Sequence, residues 1–169
     1  MSYAEQSLPA ANEAYVAAFG DKGSLPLPPG KRVAIVGCMD ARLDTFGATG
    51  LHEGDAHHIR NAGGRASDAL RSLVISQELL GTREVIVIHH TDCGMLTFRS
   101  DQLHGLVKKR VAHEHFAAVD SLACLEFPDV DESIKEDVAF LKNHPLILPE
   151  TVISGYRYEV ETGKLVKIA

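Results

Sequence analysis

The sequence predicts an α/β protein: a mainly parallel central sheet flanked by helices, with an antiparallel edge at the C-terminus and a helical arm at the N-terminus. Three observations carry this expectation. The run EVIVIHH, residues 84 to 90, is rich in β-branched residues and apolar on both faces, as a central parallel strand covered on both sides requires. Strand-like and helix-like segments alternate from residue 33 onward, the order that builds a sheet with crossover helices. The end of the chain, TVISGYRYEV-ETGK-LVKIA, places two β-rich runs around a Thr-Gly turn, which reads as a final strand plus an edge hairpin.

Taken in order, residues 4 to 19 are Ala-rich, and Tyr15, Val16 and Phe19 can share one side of a helix. GDKGSLPLPPGK then breaks the pattern with Gly and Pro, so residues 1 to 30 read as an arm and linker. After the strand RVAIVG come a short helix near residues 43 to 51 and a second strand over residues 55 to 60, and NAGG turns the chain. The segment ASDALRSLVISQELLG repeats apolar residues at helical spacing, with Ser67 or Asp68 as candidate N-cap and Gly81 as the stop. Two further helices are expected near 100 to 112 and 131 to 143. The second is opened by Asp129 with Glu132 three residues later, the pattern of a capping box. Residues 1 to 169 show no internal repeat or second domain.

Composition narrows the function. At 169 residues and 45% hydrophobic content there is enough apolar material for one sizeable core. A net charge of -6 and a pI near 5.8, with no basic run, argue against nucleic acid as a partner. No apolar stretch approaches the roughly 20 residues of a membrane helix, and MSYAEQSLPA lacks the layout of a signal peptide. A cytoplasmic location is therefore expected. Cys38, Cys93 and Cys124 are too few, and odd in number, for a disulfide framework, so reduced thiols are expected.

The chemistry concentrates in VAIVGCMDAR, residues 33 to 42. If the chain stays extended past the strand, Cys38, Asp40 and Arg42 fall on one face. A second polar group closes the central strand, where IHHTDCG contains His90-x-x-Cys93. Ligands of open α/β sheets bind at the carboxyl ends of the strands. If residues 33 to 37 and 84 to 89 are neighbouring strands, two thiols and an imidazole meet there. That set favours zinc, with a fourth coordination position left open, as in catalytic sites. Each piece alone has an ordinary reading: a strand-end cysteine is more often core, and an Asp-Arg pair on a loop is more often a surface ion pair. Cys124 has no His or Cys near it in sequence and reads as a structural thiol. A thiol-phosphatase loop does not fit, because C-x5-R would need arginine where Asp44 stands. NAGGR could face an anion through backbone N–H groups, but its glycines read first as turn residues and no nucleotide-binding pattern accompanies them.

Together, Cys38-Met-Asp40-Ala-Arg42, Arg60-Asn-Ala-Gly63 and His90-Thr-Asp-Cys93-Gly resemble the β-class carbonic anhydrases, whose pattern is C-x-D-x-R followed by H-x-x-C-G. The resemblance runs from about residue 30 to the C-terminus, and the short length is similar to the compact prokaryotic members. It implies four parallel strands plus an antiparallel edge strand, and a zinc ion held by Cys38, His90 and Cys93. It also implies Asp40 and Arg42 as the catalytic pair, and homodimers or higher homo-oligomers in which the arm packs on a partner. The implied reaction is reversible hydration of CO2 to bicarbonate and a proton, with hydroxide generated at the zinc. Asp40 would orient that hydroxide while Arg42 keeps Asp40 ionised, or Asp40 would become a fourth ligand in a closed site. Ala62 and Gly63 are candidate substrate-binding residues. His52, His57 and His58 are the nearest candidate proton carriers, and on an extended strand only one of His57 and His58 can face the site.

Two departures are visible: Ala41 stands where Ser is common, and His89 where Gly usually precedes the ligand histidine. The His89-His90 pair is similar to relatives that hydrolyse carbonyl sulfide or carbon disulfide, which keeps those substrates as the alternative for the same site. It also makes His89 a rival ligand, set aside because the family spacing selects His90. A zinc-binding structural or sensor protein is the alternative from another class. The Asp40-Arg42 pair argues against it.

Overall fold

In the computed structural model, which describes residues 2–169, five strands form one sheet in the order β2-β1-β3-β4-β5. Met1, the first residue of the predicted arm, lies outside the described residues. The strands are β1 (Val33–Cys38), β2 (Ala56–Asn61), β3 (Glu84–His90), β4 (Val152–Tyr158) and β5 (Leu165–Lys167). β1 pairs in parallel with β2 and β3, and β3 in parallel with β4, whereas β5 runs antiparallel to β4. The predicted four parallel strands plus antiparallel edge are present.

The arm is two helices, α1 (Tyr3–Gln6) and α2 (Leu8–Ala17), where periodicity predicted one. Pro9 explains the break: it lacks the N–H an interior turn needs but fits the first turn of a new helix. Neither helix buries a residue. The sheet is then flanked by α3 (Thr45–Thr49), α4 (Ala66–Leu80), α5 (Ser100–Lys108), α6 (Phe116–Asp120) and α7 (Val130–Asn143). α5 is shorter than the predicted 100 to 112, the chain turning at residues 109 to 111 before α6.

Most of the core lies between the sheet and the face formed by α4 and α7. Ala34, Val36, Val85 and Val87 pack there against Leu73, Ala69, Ile134, Val138 and Leu141. The opposite face carries Val33, Ile35 and Ile88, covered by Leu51, Tyr158 and Leu165. Both faces of β1 and β3 are thus buried, which accounts for the unbroken apolar runs that made them legible.

The start of α4 corrects the sequence reading. Neither Ser67 nor Asp68 caps it; Arg65 occupies the cap position and its side chain makes no cap hydrogen bond. The cap comes from α7, where Asp137 Oδ2 accepts the Ala66 N–H at 2.9 Å. The same carboxylate meets Arg65 Nη2 at 3.2 Å and His89 Nε2 at 3.2 Å, so one buried acid ties together α4, α7 and β3. At the other end Gly81 terminates the helix as predicted, with φ of 73° that suits glycine. Asp129 caps α7 by accepting the Glu132 N–H at 2.9 Å, while the Glu132 carboxylate pairs with Lys135 instead of completing a capping box. No helix among the described residues is long and apolar enough to cross a membrane.

Asp137→Ala should destabilise the fold by about 3 kcal/mol, because it leaves Arg65 and the first turn of α4 without their buried anion. Urea unfolding followed by circular dichroism measures this, and a loss under about 1 kcal/mol would show the network to be dispensable.

Candidate active site

The parallel pairing of β1 with β3 sets Gly37 opposite Ile88, so the ends of both strands, and the loops after them, open on the same edge of the sheet. Cys38 is the last residue of β1, and the Met39 N–H still donates to Asn61 O at 2.8 Å. The strand then ends. Asp40 and Arg42 do not converge by continued alternation, as the sequence suggested, but through a turn. The Arg42 N–H donates to Asp40 Oδ1 at 2.9 Å, and the Leu43 N–H to Asp40 O at 3.1 Å. A short Asp side chain capping the backbone two residues on is a common way to stabilise such a turn. Arg42 completes the grip with Nε on Asp40 Oδ1 at 3.0 Å and Nη2 on Oδ2 at 2.8 Å. These hydrogen bonds hold the Asp40 carboxyl well below the usual carboxylate range.

β3 delivers the other half. Cys38, His90 and Cys93 are all buried, and one ligand atom from each lies within 4.8 Å of the others. His90 Nδ1 meets Thr91 O at 2.8 Å, which fixes the ring and turns Nε2 toward the thiols. That Nε2 is buried and has no protein hydrogen-bond partner. The closeness of the two thiols holds the Cys38 thiol below the ordinary thiol range, while Cys38 and burial push the Cys93 thiol up, so the pair resists carrying two negative charges without a cation beside it. An orphaned imidazole nitrogen beside two thiols that need a positive charge between them fits zinc, which takes Cys and His ligands in a compact tetrahedral set.

The RNAG segment supports this edge from below. Arg60 donates from Nε to Cys38 O at 3.0 Å and from Nη2 to Asp40 O at 2.5 Å, holding the backbone of the metal loop. Gly64 has φ of 71°, and a Cβ there would stand 2.9 Å from Cys38 N and 3.1 Å from Ile88 O. The glycines read as turn residues thus also let the chain pass directly beneath the ligand strand. Above the thiols opens a cleft of about 260 Å³. Ala62 and Gly63 line it as expected, and Met95 and Phe98 supply walls that no sequence signal had marked.

Other candidates lie elsewhere. His57 and His58 stand opposite Ala34 and Ile35, four and three residues before Cys38 in register. His57 Nδ1 meets Ser76 Oγ at 2.7 Å. His58 Nδ1 meets Thr45 Oγ1 at 3.0 Å, its ring stacks on Phe46 at 3.7 Å, and burial holds it below the ordinary histidine value. His52 is exposed beside Asp55. The structure does not bring these three to the thiol cleft. His89 points to the opposite face of β3, with Nδ1 on Ser133 Oγ at 2.7 Å and Nε2 facing Gly64 O and Asp137, and so is no rival ligand. Cys124 lies beyond α6, with Sγ 3.6 Å from His104 Nε2.

Arg60 and Asp92 carry structural duties at the site that sequence reasoning did not assign. Both lay inside quoted motifs, but only the folded contacts show what they hold. Cys93→Ala should reduce bound zinc from about one ion per chain to a few per cent of that after dialysis, measured by metal analysis, since two protein ligands do not make a zinc site. Retention of stoichiometric zinc would mean that the ion is held elsewhere.

Comparison with known proteins converges on the same edge of the sheet. Residues 33–165 match the family model described as carbonic anhydrase. Beta-carbonic anhydrase 1 of Mycobacterium tuberculosis is 45% identical over 149 residues, covering 88% of each chain. The carbonic anhydrase of Streptococcus mutans superposes with a TM-score of 0.89 at 46% identity, over 100% of this chain and 99% of that one. A carbon disulfide hydrolase of Acidithiobacillus thiooxidans is 36% identical over 155 residues, 82% of this chain and 78% of its own. With the fold, the paired loops and these likenesses in agreement, the chain belongs to the β-carbonic anhydrase family.

Proposed function

We propose that the chain is a zinc-dependent carbonic anhydrase that hydrates CO2 reversibly to bicarbonate and a proton. The observation that carries this reading is the juxtaposition of the buried Cys38, His90 and Cys93 with an Asp40 carboxylate that Arg42 keeps ionised and aimed. Asp40 Oδ2 lies 3.8 Å from His90 Nε2, beside the ligand set and not within it.

A zinc ion held by Cys38, His90 and Cys93 would supply Lewis acidity there, bringing the pKa of a bound water down toward about 7. The remaining work falls to the protein. With its proton kept off by Arg42, Asp40 can only accept a hydrogen bond. It therefore takes one from the attacking oxygen and directs that oxygen's lone pair toward the substrate. Arg42 meets Asp40 Oδ1 through both its backbone N–H and Nε but Oδ2 through Nη2 alone, which leaves Oδ2 a lone pair with which to accept. The cleft walls of Met95, Phe98 and Ala62 admit a small, linear, uncharged molecule and exclude bulk water from the reacting face.

The second reading keeps the same site and hydrolyses carbonyl sulfide or carbon disulfide, favoured by an apolar cleft that suits such molecules equally well and by the relative of that activity. A purely structural zinc site has no use for a doubly fixed carboxylate beside its ligands, which counts against the non-catalytic alternative. The protein is further read as one domain acting in the cytoplasm. It is also read as a homodimer or higher homo-oligomer. The arm that leaves Leu8, Tyr15 and Val16 exposed supports that assembly, since such a face is stabilised by covering.

Stopped-flow CO2 hydration, run beside a sulfide-release assay with carbonyl sulfide and carbon disulfide, separates the readings; proton release with CO2 and no sulfide from either compound is expected. Asp40→Asn should keep its zinc and lose at least about a hundredfold in CO2 hydration. A fully active Asp40→Asn enzyme would overturn the assigned role.

A further inference from the structure

Arg42 is held on two edges, and only one of them belongs to Asp40. Its Nε and Nη2 grip the Asp40 carboxylate. On the other edge Nη1 donates to Asp92 Oδ2 at 2.7 Å and Nη2 to Asp92 O at 3.0 Å. A planar guanidinium engaged along two edges has no freedom left to rotate about its own axis. Asp92 immediately precedes Cys93, so the guanidinium spans the two loops that carry the thiols.

The backbone of Asp92 is built for this contact. Its φ is +51°, a left-handed conformation that few residues other than Gly, Asn and Asp adopt readily. In that conformation its carbonyl and its carboxylate both face Arg42. The Asp92 side chain is 71% exposed, and among the described residues its carboxylate makes no other hydrogen bond or ion pair. Packing does not explain it. An exposed ion pair also adds little to folding stability. What remains is its effect on where Arg42, and through it Asp40, can point.

We propose that Asp92 is a positioning residue for the reaction. It locks the Arg42 guanidinium in the plane that receives Asp40, and so couples the carboxylate on the β1 loop to the thiol on the β3 loop. This rests on the carbonic anhydrase reading above. Without Asp92, Arg42 is held by Asp40 alone, the pair moves as a unit, and the carboxylate spends less time aimed at the attacking oxygen. Catalysis is sensitive to such displacements because misplacement of a reacting or orienting group by about 1 Å can cost up to about a hundredfold.

The test uses the zinc-loaded protein with Asp92→Ala, Asp92→Asn and Asp92→Gly, and Asp92→Ala again in an Arg42→Ala background. Three quantities are read: kcat/KM for CO2 by stopped flow, bound zinc, and solvent exchange of the Arg42 Nε–H by nitrogen-15 NMR. Zinc should stay unchanged throughout. Asp92→Ala should lower kcat/KM by about three- to tenfold, with Asp92→Asn intermediate because its amide oxygen still accepts from Nη1. Asp92→Gly should match Asp92→Ala, since it relieves the backbone but removes the carboxylate. Exchange of the Arg42 Nε–H should rise by about fivefold or more in Asp92→Ala. In the Arg42→Ala background the same substitution should change kcat/KM by less than about twofold, because the partner through which it acts is gone.

Unchanged Arg42 exchange, full activity of Asp92→Gly, or an equal loss in the Arg42→Ala background would each overturn the proposal. If the unmodified protein failed to hydrate CO2 while Asp92→Ala still loosened Arg42, the reaction assigned above would fall and the positioning contact would stand.

Discussion

The parallel pairing of β1 with β3 is the constraint on which the site depends. Because the two strands run the same way and in register, Cys38 at the end of one and His90-Thr-Asp-Cys93 at the end of the other arrive on one edge from positions about 50 residues apart. Everything below that edge serves to keep the register. Val36 and Val87 are buried against α4 and α7, and Asp137 joins α4 and α7 to His89, the last residue but one of β3. A one-residue slip would exchange the faces of His89 and His90 and dismantle both the metal ligand and the buried network. The HH pair is therefore two different residues in one dipeptide, one built for the thiols and one for the core.

Electrostatics at the edge follows a single logic. The carboxylate and two thiols that become anionic as metal ligands are gathered at one edge, and each is matched by its own cation or donor. Arg42 neutralises Asp40 and keeps it off the ligand set, Arg60 binds carbonyls and so fixes the loop without competing for the carboxylate, and the thiols are left for a divalent ion. The separation matters chemically. The Arg42 pairing holds the Asp40 carboxylate beside the ligand set, with Oδ2 3.8 Å from His90 Nε2, and a carboxylate released from that pairing would be free to approach a cation held by the thiols.

Much of this was legible in the sequence, for reasons that can be named. β1 and β3 read as buried strands because both faces are covered, and Gly81 read as a helix stop because φ of 73° needs glycine. Cys38, His90 and Cys93 stood out because strand ends and ligand chemistry coincide in them. What local patterns could not supply came from distant partners. The cap of α4 arrives from Asp137, 71 residues away, so the local candidates Ser67 and Asp68 were misleading. Asp40 and Arg42 meet through a turn that alternation does not encode, and His57 and His58 look close in the sequence yet sit lower on an edge strand. Asp92 was hidden in plain view, since the left-handed backbone that aims it at Arg42 leaves no periodic trace.

The ligand set of Cys38, His90 and Cys93 can be read without reference to turnover by X-ray absorption at the zinc edge of the purified protein. Two sulfur neighbours at about 2.3 Å and light neighbours, imidazole among them, at about 2.0 Å are the result the structure predicts. Zinc with one sulfur or none, or a protein that retains no zinc, would contradict it.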